Sequence, residues 1–407
     1  MVRTRMVLPF LAAMAALTAA RAAADAPRIS DGVVKIGVMN DATGPYADAA
    51  GQGSFIAATM AVEDFGGKVL GAPVEVIYGD HQNKPDVAAS KARQWFDREQ
   101  VDVIADVPTS SCTLAVSKIA TAANRVLIVS GGGSSRLTNE DCAETTLQWT
   151  YDTFALAAGT ARSVVAQGGK RWFFLTADYA FGHSLEKDAS EFVRAAGGAV
   201  VGSARYPFPG THDFASFLLQ AQGSGAQVIG LANAGADTIN AIKQAAQFDV
   251  TRTQRLAPLL FFINDVHAVG LEAAQGTYLT AGFYWDLDDE SRAFARRFQA
   301  RHKVPPNMIQ AGVYSGVLHY LKAVAAAGTD EAHAVVAMMR KLPVRDAFAR
   351  HGTLRPDGRM IHDMYLMEVK SPAASRGPWD YFVVRKVIPA AEAFQSLDRS
   401  LCPLLKR

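Results

Sequence analysis

Two short stretches carry residue types that can grip an anion. Thr109-Ser110-Ser111 sets three hydroxyls in a row, and Ser130-Gly131-Gly132-Gly133-Ser134 sets two hydroxyls around bare backbone. Hydroxyls and unobstructed N–H groups donate without bringing a charge, which suits a small carboxylate. Each stretch follows a β-branched apolar run, 101–105 and 126–129, and residues 114–124 between the runs have the length and composition of a crossover helix. Parallel strands joined this way end at one sheet edge, where open α/β sheets receive ligands. Each loop is also expected to open a helix, whose free N–H groups favour negative charge. The competing reading of Ser110 and Ser111 is a pair of helix caps with no guest.

The elements that must position these loops alternate strand and helix. Strands are expected at 33–39 and 74–78, with helices over 54–65, stopped by Gly66-Gly67, and from Pro85 to about Arg98. A second unit follows Trp149-Thr-Tyr-Asp152: helix 153–167, strand 171–176, helix to 196, strand 199–203, helix 213–222, strand 227–231, helix 237–248 and strand 259–263. Its strand-end loops supply Tyr179 and Phe181, Asn233, and Asn264-Asp265; Tyr46, after Gly44-Pro45, either roofs the pocket from the first unit or only caps its turn. Asn233 reads more readily as a cap of the following helix than as a ligand contact. Beyond a strand at 277–285 come helices at 309–327 and 332–342, then segments 352–369 and 379–387 as hairpin strands turning at Arg355-Pro-Asp-Gly358. Repeated βα units predict an α/β fold with parallel, doubly wound sheets in two blocks.

Length, charge and ends bound the function. The chain has 407 residues, 49% hydrophobic and 20% charged, with a net charge of +2, so nothing electrostatic calls for nucleic acid. Arg3 and Arg5, the apolar run 6–17 and the small residues 19–24 predict a cleaved signal peptide over 1–24, the run being too short to span a bilayer. An exported protein meets an oxidising compartment, so Cys112, Cys142 and Cys402 predict one bridge and one thiol. Three pairings are open; the polar, turn-like settings of Cys142 and Cys402 favour joining those two. No spacing suits a metal, Arg136 breaks a dinucleotide fingerprint, and no nucleophile elbow accompanies the scattered histidines, so no cofactor, metal or catalysis is expected.

The ordered pieces Val34-Lys-Ile-Gly-Val38, Thr43-Gly-Pro45, Asp80-His-Gln-Asn-Lys-Pro85, Ser110-Ser111, Phe181-Gly-His183 and Gly312-Val-Tyr-Ser315 resemble the periplasmic solute-binding proteins of ABC transporters, in the branched-chain amino acid (Leu/Ile/Val-binding) group. The resemblance covers nearly the whole mature chain. It implies a type I periplasmic-binding-protein fold, two Rossmann-like lobes joined by three crossovers, with a solute trapped by hinge closure. The lobes are expected at 25–148 with 282–345 and at 149–281 with 346–395, followed by a tail at 396–407. Carried over, the carboxylate seat falls on Thr109, Ser110 and Ser111 and on Ser130, Gly131, Gly132 and Ser134, with Tyr179 and Phe181 packing on the solute. Where the family sets an acid for the ammonium of an amino acid, this chain has Asn264-Asp265, which leaves open an amino acid or an aromatic acid. The implied partner is an inner-membrane ABC permease, served by a periplasmic monomer; a sensor-kinase receptor or a serine hydrolase are the other classes to weigh.

Overall fold

The computed structural model describes residues 29–406, so the signal peptide expected over 1–24 lies outside the described residues. The first lobe is built on a six-stranded sheet of β1 (Val34–Asn40), β2 (Lys68–Val69), β3 (Ala72–Asp80), β4 (Val103–Asp106), β5 (Val126–Val129) and β6 (Thr146–Gln148), in the order β2-β3-β1-β4-β5-β6. All neighbours are parallel except β2 against β3. The connecting helices are α1 (Gly51–Phe65), α2 (Pro85–Asp97) and α3 (Ser110–Ala122). β4 and β5 are buried along their whole length, which explains their unbroken apolar text. Register sets Met39 opposite Asp106, Asp106 opposite Val129, and Val129 opposite Gln148, so the strands end level and their loops share one edge.

The second lobe repeats the plan. After α4 (Thr153–Ala166) come β7 (Arg171–Ala177), α5 (Ala180–Ala195), β8 (Ala199–Tyr206), α6 (Ala215–Gly223), β9 (Val228–Ala232), α7 (Ala236–Gln247) and β10 (Arg255–Pro258). They form a parallel sheet in the order β10-β9-β7-β8. The strand expected at 259–263 is displaced: β10 ends at Pro258, residues 259–262 run without regular structure, and α8 (Ile263–Val269) begins where the strand was to finish. That apolar run is buried between the lobes, not within a sheet, and burial alone does not distinguish the two.

The chain then passes α9 (Leu271–Ala274) and β11 (Tyr278–Ala281) and returns to the first lobe. There α10 (Asp289–His302) and α11 (Met308–Ala327) pack on α1, and α12 (Ala332–Lys341) packs on α11. The segment expected as one long hairpin strand from 352 is three pieces. A turn over Arg355–Gly358 joins β12 (Thr353–Leu354) to β13 (Met360–Ile361), and β14 (Met364–Val369) then pairs with both β11 and β15 (Phe382–Ile388). Arg359 pairs beside Gln148 at the edge of the first sheet, and β12 lies against α12. Residues 346–361, expected in the second lobe, therefore sit with the first. The lobes are joined near 149–152, 282–288 and 362–363. Two of these crossings are stitched together: the buried Arg359 donates to the Tyr151 carbonyl at 2.9 Å, and His362 Nε2 lies 2.6 Å from the Thr150 carbonyl. After α13 (Ala390–Ala393) the tail comes back to the first lobe, where Cys402 is bonded to Cys142; Cys112 is a buried free thiol.

Candidate functional site

The C-terminal edges of the two parallel sheets face each other, and between them lies a small cavity with about 10 Å3 of free space, room for about one water. From the first lobe and its crossing it is lined by Tyr46, Pro108, Thr109, Ser110, Gly131, Tyr151 and Ile309. From the second it is lined by Tyr179, Phe181, Ala234, Leu260 and Phe262. Its walls are thus aromatic and aliphatic, with hydroxyls and the Gly131 backbone gathered on one side. No lining residue carries an ionisable group other than a phenol, and burial pushes the Tyr46, Tyr151 and Tyr179 hydroxyls well above their ordinary range, so all three stay neutral.

The loop after β4 is held in an unusual path. Asp106, Val107 and Thr109 take φ values of 83°, 49° and 72°, a region that side chains with a Cβ seldom adopt. Backbone held this way occurs where surrounding bonds over-determine it. Here Val107 N–H donates to the Met39 carbonyl at 2.8 Å, Thr113 Oγ1 donates to the Val107 carbonyl at 2.7 Å, and Thr109 Oγ1 donates to Asn83 Oδ1. The result delivers Thr109 and Ser110 to the cavity wall at the start of α3. Glycine is required next to it, since a Cβ on Gly131 would sit 2.7 Å from Pro108 Cβ and 3.0 Å from Asp106 Oδ1. Burial raises the Asp106 carboxyl to about 7.

The lobes are shut. Tyr46 and Tyr179 share a hydroxyl–hydroxyl bond of 2.5 Å, and the Tyr179 ring stacks on Phe208 with centroids 4.2 Å apart. Ala236 N–H donates across the cleft to the Pro45 carbonyl at 3.2 Å, the Ser134 and Ser184 hydroxyls bond at 2.7 Å, and Ser135 Oγ donates to Asp188 at 2.9 Å. At the far end Asn307 Nδ2 donates to Asn264 Oδ1 at 3.0 Å.

These bonds divide the residues expected to touch a solute. Tyr46, Thr109, Ser110, Gly131, Tyr179 and Phe181 line the cavity. Ser111 is the second residue of α3 and Ser130 is buried, and neither lines it. Gly132 is pressed against Thr113, and its carbonyl accepts from Gln148. Ser134 offers its N–H to Ser110 Oγ at 3.0 Å and its hydroxyl to Ser184, so it closes the lobes instead of facing the cavity. The loop it ends opens no α-helix, only a single tight turn at Ser135–Thr138. Asn233 accepts from Thr238, and its neighbour Ala234 is the lining residue. Asn264 is tied to Asn307. Asp265, in the first turn of α8, accepts the Phe262 N–H at 2.9 Å, and burial raises its carboxyl to about 7. Of the residues expected to form the seat, Thr109, Ser110 and Gly131 line the cavity, while Ser134 works between the lobes.

Sequence reasoning misses Pro108, Tyr151, Ala234, Leu260, Phe262 and Ile309. Only Tyr151 carries a signal, its position where the chain leaves one sheet for the next. Among the described residues no cluster of His, Cys, Asp or Glu could hold a metal, and no helix is long and apolar enough to cross a membrane.

Three comparisons place this geometry. A periplasmic binding protein from Burkholderia mallei is 52% identical over 91% of this chain and 99% of its own, with a TM-score of 0.90. A branched-chain amino acid ABC transporter periplasmic ligand-binding protein from Burkholderia xenovorans is 40% identical over 91% of this chain and 99% of its own, with a TM-score of 0.81. A solute-binding protein of an ABC transporter from R. palustris, in complex with benzoate, shares the fold at 21% identity, 91% and 100% coverage and a TM-score of 0.81. A comparison with curated proteins finds no match. The family model for periplasmic binding proteins spans residues 33–377, from the start of the first lobe to the segment between β14 and β15. This chain therefore belongs to the periplasmic binding protein family, whose members bind solutes and do not transform them.

Proposed function

We propose that the chain is the periplasmic capture component of an ABC importer and that its solute is a small aromatic carboxylate. The observation that carries this reading is the chemistry of the cavity wall. Five of its residues are aromatic, Tyr46, Tyr151, Tyr179, Phe181 and Phe262, and its hydrogen-bonding groups are uncharged. Rings gain by offset or edge contacts with a ring. A carboxylate is satisfied by the Ser110 hydroxyl, whose proton is free while its oxygen accepts from Ser134, and by the N–H groups that open α3.

An amino acid would also bring an ammonium group, and a buried cation without a partner costs several kcal/mol. Asp265, the residue expected to meet it, is bound to the Phe262 N–H. A second reading, an amino acid solute, is favoured by the 40% identical relative, a binding protein of a branched-chain amino acid transporter. It would call on Asp237, whose carboxylate accepts from Tyr206 at 2.9 Å. Capture follows from the two-lobe plan: the first lobe offers the carboxylate seat, and Tyr179, Phe181 and Phe262 are added only on closure, so a bound acid favours the shut state. The shut pair of lobe surfaces is what a permease in the inner membrane would receive from this monomer.

The test is a thermal-shift screen of the mature protein, followed by calorimetry, with benzoate, 4-hydroxybenzoate, leucine and phenylalanine. Aromatic acids are expected to raise the melting temperature. A shift with leucine and none with either benzoate would reject the aromatic reading in favour of the amino acid.

A further inference from the structure

The chain crosses between the lobes a fourth time near its end. β15 belongs to the second lobe, where Ile388 pairs with Met364, and α13 lies against α4 of the same lobe. Residues 389–393 then separate β15 from Phe394, which is fixed at the hinge. The buried Phe394 ring lies 4.4 Å from the Arg359 guanidinium and meets the His362 ring edge-on at 5.4 Å. Those are the two side chains that stitch the first and third crossings together. Next to the ring, the Gln395 carbonyl accepts from Arg355 Nη1 at 2.6 Å, and Gln395 Oε1 accepts from Asn139 Nδ2 at 3.2 Å. Cys402 ends the run on Cys142 of the first lobe.

This crossing has little slack. Of the residues between β15 and Phe394, Ala390–Ala393 are wound into α13, and Ala390 N–H is tied to Asp363 at 3.0 Å. Stretching the segment means unwinding that turn, which yields about 2 Å per residue before the chain is taut. At the hinge end, one ring contact and two hydrogen bonds hold Phe394 and Gln395, and such contacts break and re-form. The covalent bond at Cys402 does not, so a pull on the tail ends there. Arg399 and Leu401, just before it, line the groove between the lobes together with Lys187 and Glu191 of α5.

We infer that residues 389–402 form a strap across the hinge that limits how far the lobes swing apart. It is held on the second lobe by β15 and α13, and on the first by Phe394 and the bond to Cys142. A strap of this kind trims the open ensemble and so lowers the entropy lost on closure, as a cross-link does for an unfolded chain. With the bond reduced, only the contacts at the hinge remain, and the lobes range more widely. The inference does not depend on which solute is captured.

The experiment reads lobe opening in the ligand-free mature protein by small-angle scattering. One variant, Cys142→Ser with Cys402→Ser, frees the far end of the strap. A second keeps the bond and inserts Gly-Ser-Gly-Ser-Gly-Ser between Ala393 and Phe394, adding up to about 20 Å of slack. In both, the radius of gyration should rise by roughly 1 Å on the ~21 Å of a compact chain this long. The same insert placed after Pro403, beyond the bond, should leave the wild-type curve. Circular dichroism checks that each variant folds; if the serine pair does not, the two inserts carry the test, since both retain the bond. Wild-type scattering from the insert before Phe394, or equal widening from the insert after Pro403, overturns the inference. Widening in the serine pair alone also overturns it, because that pattern reports a loosened first lobe. A folded serine pair that scatters like the wild type overturns the role of the bond as anchor.

Discussion

Tyr179→Phe isolates the bond that holds the lobes together. The substitution keeps the ring, and so the stack on Phe208, and removes only the hydroxyl that is hydrogen-bonded to the Tyr46 hydroxyl across 2.5 Å. In the shut state the Tyr46 side chain is 5% exposed, so its hydroxyl is left buried without a partner. Such a group costs about 1–3 kcal/mol. In the open state water satisfies it, so the whole penalty falls on closure. At 1.4 kcal/mol per tenfold, the closing equilibrium weakens by about 5- to 150-fold. Where the ligand-free protein rests open, that factor appears directly as lost affinity. The double variant Tyr46→Phe with Tyr179→Phe removes both hydroxyls and leaves nothing stranded, so it should recover most of the loss. Calorimetry with the tightest acid from the screen reads the affinity, and small-angle scattering of the free protein reads closure. Wild-type affinity in the single variant, or a double variant worse than either single one, would refute the argument.

Other perturbations follow from the same geometry. Gly235 lies on the second lobe at φ 58°, and a Cβ there would collide with the Pro45 carbonyl of the first. Gly235→Ala should therefore hold the lobes apart and lower affinity by at least tenfold, with scattering showing the wider form; unchanged scattering would count against it. Ser110→Ala and Ser134→Ala should separate by readout. Loss of Ser110 should weaken acids by roughly tenfold at any molecular shape, as expected for a hydrogen bond to a charged group, whereas loss of Ser134 should act through the Ser184 bond on closure, visible by scattering without ligand. Asp265→Asn tests a buried carboxyl whose folded value is raised to about 7 by burial, against 3.8 unfolded. Stability from its protonated form is fully present below about pH 4 and is lost as pH rises through about 7. The asparagine variant should therefore gain on the wild type across that window, by as much as about 4 kcal/mol, in denaturation series at several pH values. A constant difference between the two would show that Asp265 does not titrate there.

The alternation of strands and helices can be read because parallel strands buried on both faces leave unbroken apolar text, as at Val126–Val129. Hydroxyls next to such strands point to Thr109 and Ser110 for the same reason. The text misleads where burial comes from another source. Residues 259–263 are apolar because they fill the interlobe space, and Pro258 already ends the neighbouring strand. β6 escapes notice because Thr146-Leu-Gln148 has no run of its own and gains its place from pairing with β5. Phe262 and Ile309 reach one cavity from segments 47 positions apart. No local pattern records such a meeting, which depends on how the lobes close. Ser134 shows the converse: its type and place suit a ligand, and its partner on the other lobe decides otherwise.

The bond between Cys142 and Cys402 has a practical corollary. It spans 260 positions and fastens the final stretch of chain, with Leu401 N–H reaching Asn139 Oδ1 at 3.0 Å, to the flank of the first sheet. Closing so long a loop in the unfolded chain is worth about 5 kcal/mol in the entropic picture. Protein prepared in a reducing cytosol would lack that clasp, and a melting curve taken on it would describe a looser molecule than the one that folds after export. Oxidation state should accordingly be fixed before any two preparations are compared.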